Sequence, residues 1–302
     1  MTAIEGEPPA VARQRVRRAL RSAREALATP MSQGAVAKRL GWSLSKMQRI
    51  EGGEVAVSAT DLKALLDVYG VDDPHTVEQL TEDTRISRRQ RYVTAPEYRE
   101  HLTPATRELM QFETEAVAVR AFQPVFYPGP LQTPAVAKAV LGWWRRTIPA
   151  EGIRIRYEVR MLRRRQLLER DHGPDLFVVL DESVIRRPVG STSTTMEQLE
   201  LVADVAERDD IHIRVLPFRS GPYFGPMSAF QVIDLSADPG DSVLYREVYD
   251  HDETIHDRKE VQLYRDAFEQ LWMASLSEGE TAKVLRAEAE RLRTSDLGGR
   301  DS

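Results

Sequence analysis

Residues 32–53, SQGAVAKRLGWSLSKMQRIEGG, leave room for little besides two short helices joined by a tight turn. Ser32 carries a hydroxyl able to accept from the first-turn amides of a helix, which have no partner inside the helix itself. Val36, Ala37 and Leu40 then fall on one face at helical spacing. Gly41 follows at once, which suits a C-terminal position needing positive φ. Ser43 can cap a second helix, in which Met47 and Ile50 point inward and Gly52-Gly53 stops the run. Leu44, Ser45, Lys46, Gln48 and Arg49 remain for the outer face. A helix that reads the major groove of double-stranded DNA needs donors and small side chains near its N-terminal half, facing away from its own core. These residues meet that requirement.

Charge is distributed unevenly. The 302 residues carry a formal net charge of -5. Residues 1–50 hold ten Arg or Lys (Arg13, Arg15, Arg17, Arg18, Arg21, Arg24, Lys38, Arg39, Lys46 and Arg49) against three acids (Glu5, Glu7 and Glu25). That is an excess of seven positive charges, so the rest must carry -12. A basic head on an acidic body is the electrostatic footprint of a DNA reader with a regulatory domain. The chain has no cysteine, which removes disulfides and thiolate metal sites. No apolar run approaches the roughly 18 residues of a membrane span. The start, MTAIEGEPPA, lacks the basic and apolar regions of a signal peptide, so a cytoplasmic location is expected.

The pattern predicts a multi-domain chain. Residues 1–10 read as a disordered arm and 11–28 as a helix with Val16, Leu20 and Ala23 inward and arginines outward. Thr29-Pro30 breaks it. Ser58 and Asp61 form a capping box ahead of Leu62, Leu65, Leu66 and Tyr69, with Gly70 as the stop. Asp73-Pro74 starts a fifth helix reaching about Asp83. Five helices make an all-α domain over 11–84, followed by a basic linker over 85–95. From 96 to 280 helical patterns (about 96–120, 133–146, 151–170, 195–209 and 257–274) interleave with β-type runs. The β-type runs cover 121–126, 176–180, 211–216, 229–235 and 242–249. This predicts an α/β domain with a mixed sheet. Residues 281–302 read as a charged helix fading to a disordered tail.

The N-terminal domain resembles the lambda-repressor-like helix-turn-helix proteins of the XRE (xenobiotic response element) family. The resemblance rests on Gln33, Ala37, Leu40, Gly41, Ile50, Glu51 and Gly53 and covers about 11–72. It departs at Gly34-Ala35, where the family places long polar helix formers, and in a longer turn at Ala28-Thr29-Pro30-Met31. The remainder resembles a C-terminal domain of actinobacterial XRE regulators of the WhiJ type. Phe122-Gln123-Pro124 and Pro128-Gly129-Pro130-Leu131-Gln132-Thr133 carry this, with Pro130 where that signature has Leu. Val179 to Glu182, Arg187 to Gly190, Val215 to Phe218 and the strand Phe230 to Leu235 fit the same domain.

The resemblance implies a recognition helix over 43–51. Gln33 would anchor phosphate and brace that helix; Leu44, Ser45, Gln48 and Arg49 would reach base edges; Ser43 would open the helix and Lys46 meet phosphate. Arg24 and Glu51 would form an ion pair joining the first helix to the recognition helix. A homodimer on an inverted repeat is expected, because one such domain covers half a palindrome. Relatives are often encoded beside a small acidic BldB-type partner and some are antitoxin-like. An antitoxin-like interaction protein that binds such a partner and autoregulates is therefore the alternative to a ligand- or protein-sensing regulator.

Other features carry less. Arg154, Arg156, Arg160, Arg163, Arg164, Arg165 and Arg170 make a basic helix. It could hold an anionic ligand, touch flanking DNA or dock an acidic partner, or it could be a solvated face paired with Glu151, Glu158 and Glu169. Tyr223 and Phe224 lie in a Gly/Pro loop that could border a pocket. His251, Asp252, His256 and Asp257 read as a polar turn, because His251 and His256, five apart, share no helical face as metal ligands would. No nucleotide-binding glycine loop, nucleophile elbow or HExxH motif is present. No catalytic residue, metal or cofactor is expected.

Overall fold

Side-chain caps set most of the helix starts in the N-terminal third. Helix α1 (Pro9–Glu25) opens on a proline, whose missing N–H is no loss at a helix start. In α2 (Gln33–Leu40), the N-cap Ser32 Oγ accepts from Ala35 N at 3.2 Å. Gly41 ends that helix at φ 68°, and Trp42 N donates to Ala37 O at 2.8 Å. A side chain at that backbone angle would be strained, which is why glycine stands there. α3 (Leu44–Gly52) starts where Ser43 Oγ accepts from Lys46 N at 3.1 Å. α4 (Ala59–Tyr69) starts from Ser58, whose Oγ accepts from Asp61 N at 3.0 Å. α5 (Pro74–Ser87) has Asp73 as its cap.

The structure, a computed structural model, describes residues 9–52, 55–88, 96–169, 173–221, 228–248 and 251–298. It forms two compact units, one within residues 1–93 together with 235–242, the other within 94–234 and 243–302. The first is the all-α domain. Val16 and Leu20 of α1, Val36 and Ala37 of α2, Met47 and Ile50 of α3, Leu62, Leu65, Leu66 and Tyr69 of α4 and Leu80 of α5 share one core. Burying one large apolar side chain fully contributes about 1.5–3 kcal/mol, so this cluster carries the unit.

In the second unit α6 (Pro96–His101) and α7 (Pro104–Glu115) precede strand β1 (Ala118–Gln123). Then come α8 (Pro134–Gly142), α9 (Ala150–Leu168), β2 (Asp175–Asp181), α10 (Glu182–Arg186) and α11 (Thr192–Val205). β3 (Ile211–Leu216), β4 (Phe230–Asp234), β5 (Ser242–Glu247), β6 (Asp252–Ile255), α12 (Arg258–Ala274) and α13 (Glu278–Gly298) complete it. The strands make one mixed sheet of order β3-β2-β1-β4-β5-β6. β1 pairs with β2 and β2 with β3 in parallel, while β1 with β4 and β5 with β6 are antiparallel. α12 lays Val261, Tyr264, Phe268 and Leu271 against Phe122, Val179, Phe230 and Val232 of the sheet.

Several boundaries differ from expectation. α1 starts at Pro9, with Pro9 to Ala12 already buried, so the expected arm over 1–10 ends earlier; residues 1–8 lie outside the described residues. α1 also ends at Glu25, short of 28. α5 runs on to Ser87, burying Ile86 and Ser87, which shortens the expected linker. The single helix expected over 96–120 is α6, α7 and the start of β1, because Pro104 forces a new helix start after Leu102 and Thr103. The run 251–257 is not a polar turn: Asp252 to Ile255 form β6 on β5, and Asp257 caps α12 by accepting from Lys259 N at 3.0 Å and Glu260 N at 3.2 Å. The charged helix expected from 281 is α13, starting at Glu278; the end expected to be disordered, 299–302, lies outside the described residues. α13 packs on α11 and β3, buries Thr281, Leu285, Glu288 and Ala289, and Thr281 Oγ1 accepts from Val215 N at 3.1 Å.

Candidate nucleic-acid interface

The spacing of α3 divides its residues between two faces. Met47 and Ile50 are buried, and Leu44, Ser45, Gln48 and Arg49 are exposed. Leu44 keeps 47% of its surface exposed. Among the described residues neither Gln48 nor Arg49 makes a side-chain hydrogen bond or ion pair, leaving both sets of polar groups available. Ser43 is exposed and committed by its Oγ to the helix cap.

A buried polar brace stands behind this helix. Arg24 Nε donates to Glu51 Oε1 at 2.7 Å and Arg24 Nη2 to Glu51 Oε2 at 2.9 Å, a bidentate pair. Arg24 Nη1 also donates to Met31 O at 2.8 Å. Gln33 Nε2 donates to Glu51 Oε2 at 2.8 Å, so one carboxylate ties α1, the start of α2 and the end of α3 together. The Glu51 side chain is 2% exposed and that of Arg24 11%. The Glu51 hydrogen bond holds the Arg24 guanidinium above its usual pKa. Burial, with the Glu51 carboxylate, pushes the Tyr69 hydroxyl up. Gly53, expected with this motif, lies outside the described residues.

Two groups of cations expected to face outward already have partners within the chain. Lys46, expected at phosphate, is half-buried in an ion pair with Asp61 Oδ1 at 2.7 Å and sits 3.8 Å from the Trp42 ring centroid. The arginines of α1 are largely engaged with acids of this unit, although Arg21 remains exposed. Arg15 is paired with Asp83, Arg18 with Asp238 and Asp241 of the 235–242 segment, Arg21 with Glu25, and Arg24 with Glu51. Arg13 Nη2 donates to Ser87 O at 3.3 Å. Lys38 and Arg39 are further candidates that the sequence alone did not single out. Both are exposed in the last turn of α2, and among the described residues neither has an ion-pair partner. The signal available was their place in the helix just before the recognition helix.

The second unit gathers the candidate arginines differently. Arg156, Arg160 and Arg163, spaced i, i+4 and i+7 on α9, all line a cavity of about 450 Å³. Arg163 is held bidentately by Glu113, Nε at 2.8 Å and Nη2 at 2.6 Å. Arg160 Nη1 donates to Gln132 Oε1 at 2.9 Å, and Arg164 Nη1 to Gln132 O at 3.2 Å. Burial, with Arg163 close by, pushes the Arg160 guanidinium down to about 10. The solvated-face alternative holds for Arg154, paired with Glu151 and Glu158, and not for these three. Tyr223, Phe224 and Arg170 lie outside the described residues.

A short capped helix, a glycine turn in the left-handed region and a second helix with a polar exposed face define a helix-turn-helix DNA-binding regulator. Residues 15–80 match the family model of a helix-turn-helix domain. Residues 106–287 match a domain of unknown function (DUF5753), and because that match spans more than half of the sequence, the chain belongs to this family. No curated protein and no solved structure gives a significant match. Among the described residues no helix is long and apolar enough to cross a membrane.

Proposed function

We propose that this chain is a sequence-specific transcriptional regulator of the XRE, lambda-repressor-like type, with α3 in the major groove and a WhiJ-type second unit that senses a ligand. The observation that carries the reading is the split of α3. Leu44, Ser45, Gln48 and Arg49 are exposed and unengaged on one side, while Glu51 is clamped by Arg24 and Gln33 on the other. Arg pairs bidentately with guanine, Gln with adenine, and Leu meets a thymine methyl. Lys38 and Arg39 take phosphate contacts that fix register without reading sequence. Gln33 braces, and Lys46 supports α3 from its pair with Asp61. The regulator acts in the cytoplasm as a homodimer on an inverted repeat and has no catalytic role.

A ligand is favoured over a small acidic protein partner by the placement of Arg156, Arg160 and Arg163. They line a concave space instead of forming an outer basic stripe. Selection of bound fragments from a random DNA pool tests the regulator reading. The expected result is an inverted repeat whose half-site changes when Gln48 or Arg49 is replaced. A pool with no enriched motif would sink it.

A further inference from the structure

We infer that the cavity lined by α9, β5 and β6 is the binding site for a small organic molecule with one anionic group, an apolar body and a hydrogen-bond donor. This deepens, and rests on, the proposal that the second unit senses a ligand. On one wall stand Arg156, Arg160 and Arg163, placed on a single helix face by their i, i+4, i+7 spacing. Glu113 neutralises Arg163. Among the described residues neither Arg156 nor Arg160 has a carboxylate within ion-pair distance, and Arg156 Nε is enclosed without a hydrogen-bond partner. Gln132 fixes Arg160 from behind and is itself fixed, its Nε2 donating to Tyr127 O at 2.7 Å. Glu247 acts on Arg160 only through space, so among the described residues neither Arg156 nor Arg160 has a direct carboxylate partner, and a carboxylate or sulfonate entering the cavity would supply those charge-assisted hydrogen bonds.

The remaining walls define the rest of the molecule. Phe126, Val140, Leu141, Trp144 and Ile148 make an apolar side suited to an aromatic or branched body. Glu247 and Asp252 face it from the sheet, and burial, reinforced by Asp252, pushes the Glu247 carboxyl up. That end accepts a hydroxyl or amine hydrogen and repels a second anion. Glu247 is exposed and lines the cavity, so its carboxyl is open to a molecule bound there. About 450 Å³ is the volume of a small-molecule site and too little for a folded partner.

Anilinonaphthalene sulfonate has all three features: a sulfonate, an aromatic body and an N–H. Its fluorescence titration into the full chain is expected to show one saturable site. Arg160→Gln should weaken that site about tenfold, the loss expected for one charge-assisted hydrogen bond. Thr147→Trp, at an exposed lining position, should block the site without touching the core, which covers the case of a poorly folded arginine variant. The neutral dye N-phenylnaphthylamine should bind no better to the parent than to Arg160→Gln. Sulfonate binding that is absent, or equal in the parent and both variants, overturns the site. DNA affinity measured with and without the dye separates the two readings. Arginine-dependent dye binding that leaves DNA affinity unchanged keeps the site and removes sensing. Intact DNA binding without arginine-dependent dye binding removes the site and keeps the regulator.

Discussion

Arg24→Ala is the sharpest perturbation of the helix-turn-helix unit. It deletes two hydrogen bonds to Glu51 and one to the Met31 carbonyl, and leaves the Glu51 carboxylate, 2% exposed, with Gln33 as its remaining side-chain donor. Removing one partner of a buried pair costs about 3–5 kcal/mol, mostly from the charge left behind. Arg24 keeps 11% of its surface, so the lower end, about 3 kcal/mol, applies. For a helical unit of this size each kcal/mol moves Tm by roughly 4–8 °C, giving a fall of roughly 12–24 °C. Circular dichroism melting of the full chain reads this directly, with DNA affinity measured well below the new transition. Because none of these hydrogen bonds involves the exposed row of α3, affinity there should fall far less than stability. Arg24→Met combined with Glu51→Leu should recover much of the loss, since apolar groups of similar volume remove the stranded charge. An unchanged melting temperature with lost DNA binding would refute the brace and make Arg24 a DNA contact.

Three further outcomes follow from the same geometry. Gln48→Ala and Arg49→Ala should each cost about 1–3 kcal/mol of discrimination at one base pair, while leaving Tm in place; equal losses on every sequence would show that neither side chain reads bases. Gly34→Ala should stabilise by up to about 1 kcal/mol. An added Cβ would meet only Ser32 Oγ at 3.9 Å, so a fall in Tm would mean that the first turn of α2 needs the glycine. Glu288→Gln should lower stability at neutral pH and matter less in acid. The hydrogen bond from Arg291 holds the Glu288 carboxyl below its usual range, with Arg186 adding to it. A depressed carboxyl contributes stability that is complete above the ordinary carboxylate value and is lost as pH falls through the lower one. Urea melts of parent and variant should therefore converge in acid, and a gap of constant size from neutral to acid would refute the assignment.

How much of this was legible in the sequence depended on how local each signal was. Ser32, Gly41, Ser43, Ser58 and Gly70 act within a turn of chain, and each does in the structure what its type and spacing implied. The exposed row of α3 followed from the same periodicity. Non-local pairings were not legible. Arg15 finds Asp83 68 residues away, and no count of charges could say that α1 would use its arginines internally. β6 is a polar four-residue segment that exists as a strand through its pairing with β5. α13 buries Thr281 and Glu288 along with Leu285, so its packed face does not read as apolar. The spacing of Arg156, Arg160 and Arg163 showed a shared face; the space in front of it depended on α8 and β5, far away in sequence.

The pairing of the α1 arginines changes what the basic head can do. An excess of seven charges over residues 1–50 suggests dense contact with phosphate. Once the arginines bound to Asp83, Glu25, Glu51, Asp238 and Asp241 are set aside, together with Lys46 on Asp61, the cations left exposed on α2 and α3 are Lys38, Arg39 and Arg49. Each phosphate neutralised contributes about -0.9 to the slope of log K against log salt. A single helix-turn-helix unit should therefore give a slope near -2 to -3, and a dimer on two half-sites about twice that. So shallow a salt term would leave little non-specific affinity for one copy, and occupancy is then expected to require two units on one site. A slope near -6 that halves when dimer formation is blocked would agree. A single unit with a slope steeper than about -5 would mean that the α1 arginines leave their carboxylates for DNA, which the bidentate pairs argue against.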